Sequence, residues 1–431
     1  MELQSYSVSA APAIEPANIF SMPVKELRVC PSGCVYASVQ DAVDAADEGD
    51  NIKVTTGIYT GVNNYAGLAQ VVYLSKTLTI QGGYTTTDWT KPAPEVNPTT
   101  LDAQKQGRVF YVIGEIQPTI AGFRITGGEA QGLGGIPDQS EWDLGGGVLV
   151  ITATAEITNN QVLSNTCSSV LSNGEGIALL YSDAIIDSNT FRYNSTGWGG
   201  GGLWAGWSNS NIVSNLFSSN QAMDGGGVEL YMDDGMFSEN LVISNTAEFG
   251  GGFSTHIGKE KVVNNVFTEN IVSNSGGGLS INGSSAQLFH NTIARYRGGD
   301  GSGIMVIQSF FGPYSVVDLT NTILVDHEVG ISVKGGNKVT VNAILWGSTP
   351  ITVSKSITAI INLENEHVGD PIFSSDGYHL SVGSEAIDKG VDSEIMMDID
   401  GELRPAGTTY DLGADELWYR IYLPLITNKS P

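Results

Sequence analysis

Long apolar runs are missing from this chain of 431 residues: no stretch of roughly 18 apolar residues occurs, so no segment reads as a membrane-spanning helix. Positive charge is scarce. Lys and Arg total 20 against 46 Asp and Glu, a formal charge of -26 that repels nucleic-acid phosphates and anionic membrane surfaces. A nucleic-acid partner is therefore not expected, whereas the acidic surplus suits solubility outside a cell and suits calcium. Cysteine is scarce as well. Cys30 and Cys34 enclose a Pro-Ser-Gly turn short enough to close as a disulfide in an oxidising compartment, leaving Cys167 over. No GxxxxGK[ST], GxSxG, HExxH or CxxC motif is present, so phosphate-loop, serine-hydrolase, zinc-protease and thioredoxin chemistry have no support.

What the chain has is glycine, 54 residues of it, much of it in runs that recur. Segments GGGVLVI from Gly145, GEGIALL from Gly174, GGGLWAGW from Gly200, GGGVELY from Gly225, GGGFSTHI from Gly250, GGGLSIN from Gly276 and GSGIMVI from Gly301 advance by 29, 26, 25, 25, 26 and 25 residues. An eighth match follows Gly330. A second column keeps the same step: Asn160, Asn189, Asn215, Asn240, Asn265, Asn291, Asn321 and Asn342. Two residues after each stand Val162, Phe191, Phe217, Val242, Phe267, Ile293, Ile323 and Ile344. Three before stand Ile157, Ile186, Ile212, Phe237, Val262, Leu288, Asp318 and Val339, of which only Asp318 is polar.

A repeat of this length with period-2 alternation admits a leucine-rich horseshoe or a parallel β-helix, and the horseshoe's leucine consensus is absent. The expectation is an all-β, single-stranded right-handed parallel β-helix of about ten coils of about 25 residues. Stacked coils place equivalent residues about 4.8 Å apart, so the apolar columns become internal ladders and the asparagines bond to one another at a turn.

Caps are expected at the ends of such a stack. Ser38 can cap a short helix with Val39, Ala42, Val43 and Ala46 on one apolar face. The stretch Tyr36 to Val43, then Ile52-Lys-Val, Gly57-Ile-Tyr59 and Leu78-Thr-Ile-Gln-Gly82, resembles the capping helix and first coils of the pectin-lyase-like superfamily. Gly369-Asp-Pro-Ile-Phe373, Ser384 to Gly390, Asp398-Ile-Asp400-Gly401, Arg404-Pro405 and Asp411 to Glu416 resemble the closing segment of secreted bacterial β-helix proteins, the choice-of-anchor type. The resemblance implies an extracellular or cell-surface location and a fold shared by lyases, hydrolases and adhesins. The organisation expected is a leader remnant and linker over 1–26, the β-helix over 27–365, a capping segment over 366–416 and a terminal strand or tail over 417–431.

Alternation sends Val228 and Leu230 inward and Glu229 and Tyr231 outward. The outward columns read Leu149, Ala178, Trp204, Glu229, Ser254, Ser280, Met305 and Ile151, Leu180, Gly206, Tyr231, His256, Asn282, Ile307. Polar and aromatic residues gather in the middle coils, with Trp204 beside Glu229 and Tyr231 beside His256. Aromatic faces suit sugar rings, and carboxylates beside a Tyr or His suit proton transfer or a cation. Glu229, Tyr231, His256 and Asp233 are the catalytic candidates. Trp198, Trp204, Trp207, Asp234 and Lys259 are the substrate-binding candidates. No Arg falls in these columns, which weighs against the arrangement of the superfamily's lyases; Glu229 with Asp233 or Asp234 would be a glycosidase pair. The reading is a surface β-helix that binds an extracellular polysaccharide or other surface polymer, as lyase or hydrolase if it also cleaves. The alternative is a non-enzymatic structural or adhesive module. Asp388, Asp400 and Arg404 read as a capping ion-pair cluster, and His327 between Asp326 and Glu328 and His367 near Glu364 and Glu366 are discounted as metal ligands.

Overall fold

The structure, a computed structural model, describes residues 23–418 apart from 66, 137, 138 and 311, with backbone alone at 136, 139 and 140. The expected leader remnant lies almost wholly outside the described residues, and so does nearly all of the expected terminal strand. Among the described residues no helix is long and apolar enough to cross a membrane.

One strand per turn climbs a face of the stack, from Glu26–Val29 through Asn51–Thr55, Thr79–Tyr84, Thr119–Ala121 and Glu156–Thr158 to Ile360–Val368, every neighbour parallel. This makes about 13 turns rather than ten. The extra turns escape a period count because the early coils advance by 28, 40 and 37 residues, from Asn51 to Thr79, Thr119 and Glu156. A second face holds the glycine-led strands, Val148–Ile151, Ile177–Leu180, Leu203–Gly206, Val228–Tyr231, Phe253–His256 and Leu279–Asn282, within a sheet of 12 strands. Their inward residues join one apolar core: Val228, Leu230, Phe217, Phe237, Val242 and Phe267 are all essentially inaccessible.

Corners are built from backbone bonds and left-handed residues. The first glycine of each run turns the chain: Gly225 has φ +58°, and a Cβ there would meet Val228 O at 2.3 Å. At the opposite corner Asn160, Asn189, Asn215, Asn240, Asn265 and Asn291 form a buried ladder, each Nδ2 donating 3.1 Å to the next Oδ1. A parallel ladder five residues on, Asn165, Asn194, Asn220, Asn245 and Asn270, ends on Tyr296 Oη.

The asparagine column does not continue to Asn321 and Asn342. Leu288 pairs with Leu319, which pairs with Val341, and Ile293 pairs with Leu324, which pairs with Trp346. Asp318, taken from the sequence as a core position, is exposed. The column is out of step by one position: on both sides of the corner this coil advances by 31 residues, Leu288 to Leu319 and Ile293 to Leu324, so Asn321, at φ +53°, stands over His290, at φ +51°, rather than over Asn291, and it bonds Val391 instead.

At the first coil, Val39–Ala45 is helical, Ser38 Oγ accepts from Asp41 N, and Val39, Ala42, Val43 and Ala46 are buried. Cys30 and Cys34 are disulfide-bonded. The segment from Gly369 onward returns along the side of the stack: Leu380, Ala386 and Leu412 pack on Ala294, Ile323, Val325, Ala343 and Leu345. Arg404 pairs with Glu416 at 2.9 Å, both buried, so the expected cluster with Asp388 and Asp400 is not formed. Asp388 Oδ1 instead accepts from Thr408 N and Thr409 N, and Asp400 Oδ2 meets His379.

Candidate functional site

Coil register assembles the site. Trp204 lies opposite Glu229 and Tyr231 opposite His256 in the parallel pairing, as the repeat predicts. Trp204 points away from the core into a separate outer cluster with Tyr111, Leu144, Leu149, Ile151, Ala178 and Leu180, packed also by Tyr231. The outward column is therefore covered: Trp204 is 4% exposed and Glu229 3% exposed. The cover comes from chain outside the repeat, notably the strand Gln139–Leu144.

Over that cluster four tryptophans and a tyrosine line a groove of about 340 Å³ with Asn173 and Glu229. Trp142 meets Trp198 edge to face at 5.8 Å, Trp204 meets Trp207 at 6.4 Å, and Trp207 meets Tyr231 at 5.0 Å. The indole of Trp204 lies across Gly206, where a Cβ would sit 2.2 Å from Cη2, so that glycine makes room for the ring. Trp198 and Trp207 are more than one-third exposed and present ring surface to solvent.

At the groove's edge stands an acid and imidazole group. His256 Nε2 lies 2.9 Å from Asp224 Oδ2, 3.6 Å from Glu229 Oε1 and 3.3 Å from Ser254 Oγ. Glu229 Oε2 is buried with no hydrogen-bond partner, and so is Asp224 Oδ1. Gly199 lies directly against the Glu229 carboxylate: a Cβ there would be 1.3 Å from Oε2. Burial pushes the Glu229 carboxyl up to about 8, against the pull of His256. Burial alone would lower His256, but the Asp224 carboxylate beside it and the hydrogen bond between them raise it to about 9. The group is thus an imidazole held toward its charged form by Asp224 beside a carboxyl that burial holds toward its neutral form.

The other candidates stand elsewhere. Asp233 is fully buried and braces the turn, its oxygens accepting from Gly235 N and Ser210 N, so it makes no pair with Glu229. Asp234 and Lys259 form an exposed 3.7 Å ion pair at a different, shallower depression of about 300 Å³ with Asn209, Met236 and Lys261. His327 is buried, its ring bonded to Ile293 O. A larger cleft of about 920 Å³ beside the Cys30–Cys34 loop carries no convergent acid and histidine group, whereas a pocket of about 510 Å³ in the closing segment is lined by His379, Asp400 and Asp415. Sequence reasoning missed Asp224, Trp142 and Asn173. Asp224 immediately precedes a glycine run, in one stacked column with Asn173 and Gly199, and that offset was its signal. Trp142 lies in chain with no repeat and had none.

Residues 141–344 match the family model described as "Right handed beta helix region". No curated protein sequence matches the chain. Among solved structures it is similar to a pectate lyase, at 12% identity and a TM-score of 0.42 over 92% of this chain and 97% of that chain. It is also similar to a periplasmic alginate epimerase, at 12% identity and a TM-score of 0.38 over 74% of this chain and 77% of that chain. With every turn paired in parallel to the next and the glycine runs stacked in register, the chain is a right-handed parallel β-helix.

Proposed function

We propose that the chain binds an extracellular polysaccharide in the groove formed by Trp142, Trp198, Trp204, Trp207 and Tyr231. The observation that carries this reading is the convergence on one outward groove of five aromatic rings, Trp198, Trp204 and Trp207 from one coil with Trp142 and Tyr231 from others, and with Asn173 and Glu229 as the polar groups at its floor. Aromatic faces take the apolar faces of sugar rings, while a few fixed polar groups orient the hydroxyls. The Cys30–Cys34 disulfide and the acidic surplus support a location outside the reducing cytosol, in an extracellular or surface setting.

A cleaving role would use the protonated Glu229 carboxyl as acid, with His256 and Tyr231 beside it. One observation favours the non-catalytic surface module instead: Glu229 is 3% exposed and His256 Nε2 is already engaged by Asp224, so the acid is not presented to a glycosidic oxygen. Binding is therefore the stronger claim. The test is a glycan array with the full chain, followed by depolymerisation assays on each glycan bound. Binding should weaken about tenfold in Trp207→Ala, the loss of roughly 1.4 kcal/mol of stacking, with unchanged circular dichroism. Absence of binding to any glycan removes the reading.

A further inference from the structure

We propose that Asp224, Glu229 and His256 form a binding site for a zinc-class divalent transition metal. One donor atom from each lies within 4.8 Å of the other two. His256 Nε2 is 2.9 Å from Asp224 Oδ2 and 3.6 Å from Glu229 Oε1. An ion bound about 2.0–2.2 Å from each nitrogen and oxygen donor requires donor separations of roughly 3.0–3.6 Å, and the two distances from the imidazole nitrogen lie close to that range. Ser254 Oγ, 3.3 Å from the same nitrogen, adds an oxygen beside the position.

The second observation is the state of the carboxylates. Glu229 is 3% exposed, yet its Oε2 has no hydrogen-bond partner, and Asp224 Oδ1 is likewise buried and unpartnered. A buried acceptor with nothing to accept costs about 1–3 kcal/mol, more when charged, and native sites usually meet that cost with a water or an ion. The same chain spends backbone freedom to keep the carboxylate there, since only a residue without Cβ fits at Gly199 against Oε2.

Preorganisation comes from the coils. Asp224 ends the turn before Gly225, Glu229 follows within Val228–Tyr231, and His256 ends Phe253–His256 on the next coil, in fixed register with Tyr231. The imidazole donor decides the class of metal: Ca²⁺ and Mg²⁺ take oxygen ligands, whereas Zn²⁺ and its neighbours accept a mixed nitrogen and oxygen set. The ion would sit behind the aromatic groove, at the floor provided by Glu229.

The experiment strips the full chain with chelator, dialyses it against Zn²⁺ or Ca²⁺, and reads metal content by mass spectrometry and affinity by calorimetry, without any sugar. One Zn²⁺ per chain is expected, with Ca²⁺ at least about 100-fold weaker. His256→Ala should weaken Zn²⁺ at least about 100-fold, while His379→Ala, in the second acid and histidine group near Asp400 and Asp415, should not. No stoichiometric Zn²⁺, or loss of Zn²⁺ in His379→Ala but not His256→Ala, overturns the proposal. If His256→Ala fails to fold, cadmium-113 NMR of the unaltered chain decides: a shift of mixed nitrogen and oxygen ligation supports the site, and an all-oxygen shift overturns it. Glycan binding that fails while Zn²⁺ is retained would sink the polysaccharide reading alone.

Discussion

Replacing Asn240 by alanine removes one rung from the middle of the long asparagine ladder, and the structure says what is lost. Its Oδ1 accepts from the N–H and the Nδ2 of Asn215, at 2.9 and 3.1 Å. Its Nδ2 donates to Ile212 O at 2.9 Å and to Asn265 Oδ1 at 3.1 Å. The side chain is fully buried, so water cannot replace these partners. Asn215 Nδ2 keeps its bonds to Ile186 O and Val213 O, and Asn265 Oδ1 keeps the N–H of residue 240. The group deprived outright is the Asn215 N–H, while the Ile212 carbonyl keeps its place in the parallel ladder with the strand Met236–Ser238. One buried donor left without a partner gives an expected loss of about 1–3 kcal/mol. Urea unfolding followed by circular dichroism measures it, with Asn209→Ala, an exposed asparagine one corner away, expected within about 0.5 kcal/mol of the parent. An unchanged denaturant slope would show the stack still unfolding as one unit; a smaller slope would show the coils on either side of residue 240 uncoupling. Equal stability of the two variants would refute the claim that the ladder holds the corner.

The acid response should carry the signature of a buried neutral histidine. Burial pushes His327 down to about 4, while an unfolded histidine titrates near 6.5; between those values the unfolded chain binds the extra proton. Its contribution is complete above about pH 6.5 and declines by about 3 kcal/mol as pH falls to about 4. Urea midpoints of the parent against His327→Gln at pH 7 and pH 4 check this, and a gap independent of pH contradicts it. Gly199→Ala drives a methyl into the Glu229 carboxylate and should cost about 1–3 kcal/mol; in a Glu229→Ala background most of that cost should disappear. Thermal unfolding of the four proteins of that cycle gives the coupling, and strict additivity would show that the two residues do not touch.

Much of the fold is legible in the residues because a solenoid converts period into contact. The spacing of Gly200, Gly225 and Gly250 was enough to place Trp204 on Glu229 and Tyr231 on His256. Period fails where a coil changes length: this one advances by 31 residues, which sets Asn321 over His290 and puts Leu319 and Leu324 in the core positions that Asp318 and Ile323 had been expected to occupy. Alternation also says which way a side chain leaves the sheet but not what meets it. Trp204 and Glu229 do face outward, yet Leu144 and Trp142 from aperiodic chain cover them and make a groove of what would have been a flat face. The same limit explains Asp233, whose neighbours in sequence suggested a partner for Glu229 while the turn directs its carboxylate to Ser210 and Gly235. Asp224 was overlooked because its role depends on His256, 32 residues away and one coil on.

The central claim, that coils about 25 residues apart assemble one aromatic sugar site, is tested most directly by a crystal structure of the chain soaked with an oligosaccharide chosen from the array. The account predicts a sugar ring stacked on Trp198 or Trp207, with its polar edge toward Asn173 and Glu229. A ring bound on another face, or an indole of Trp204 turned into the interior beside Leu203 and Ala205, would contradict it.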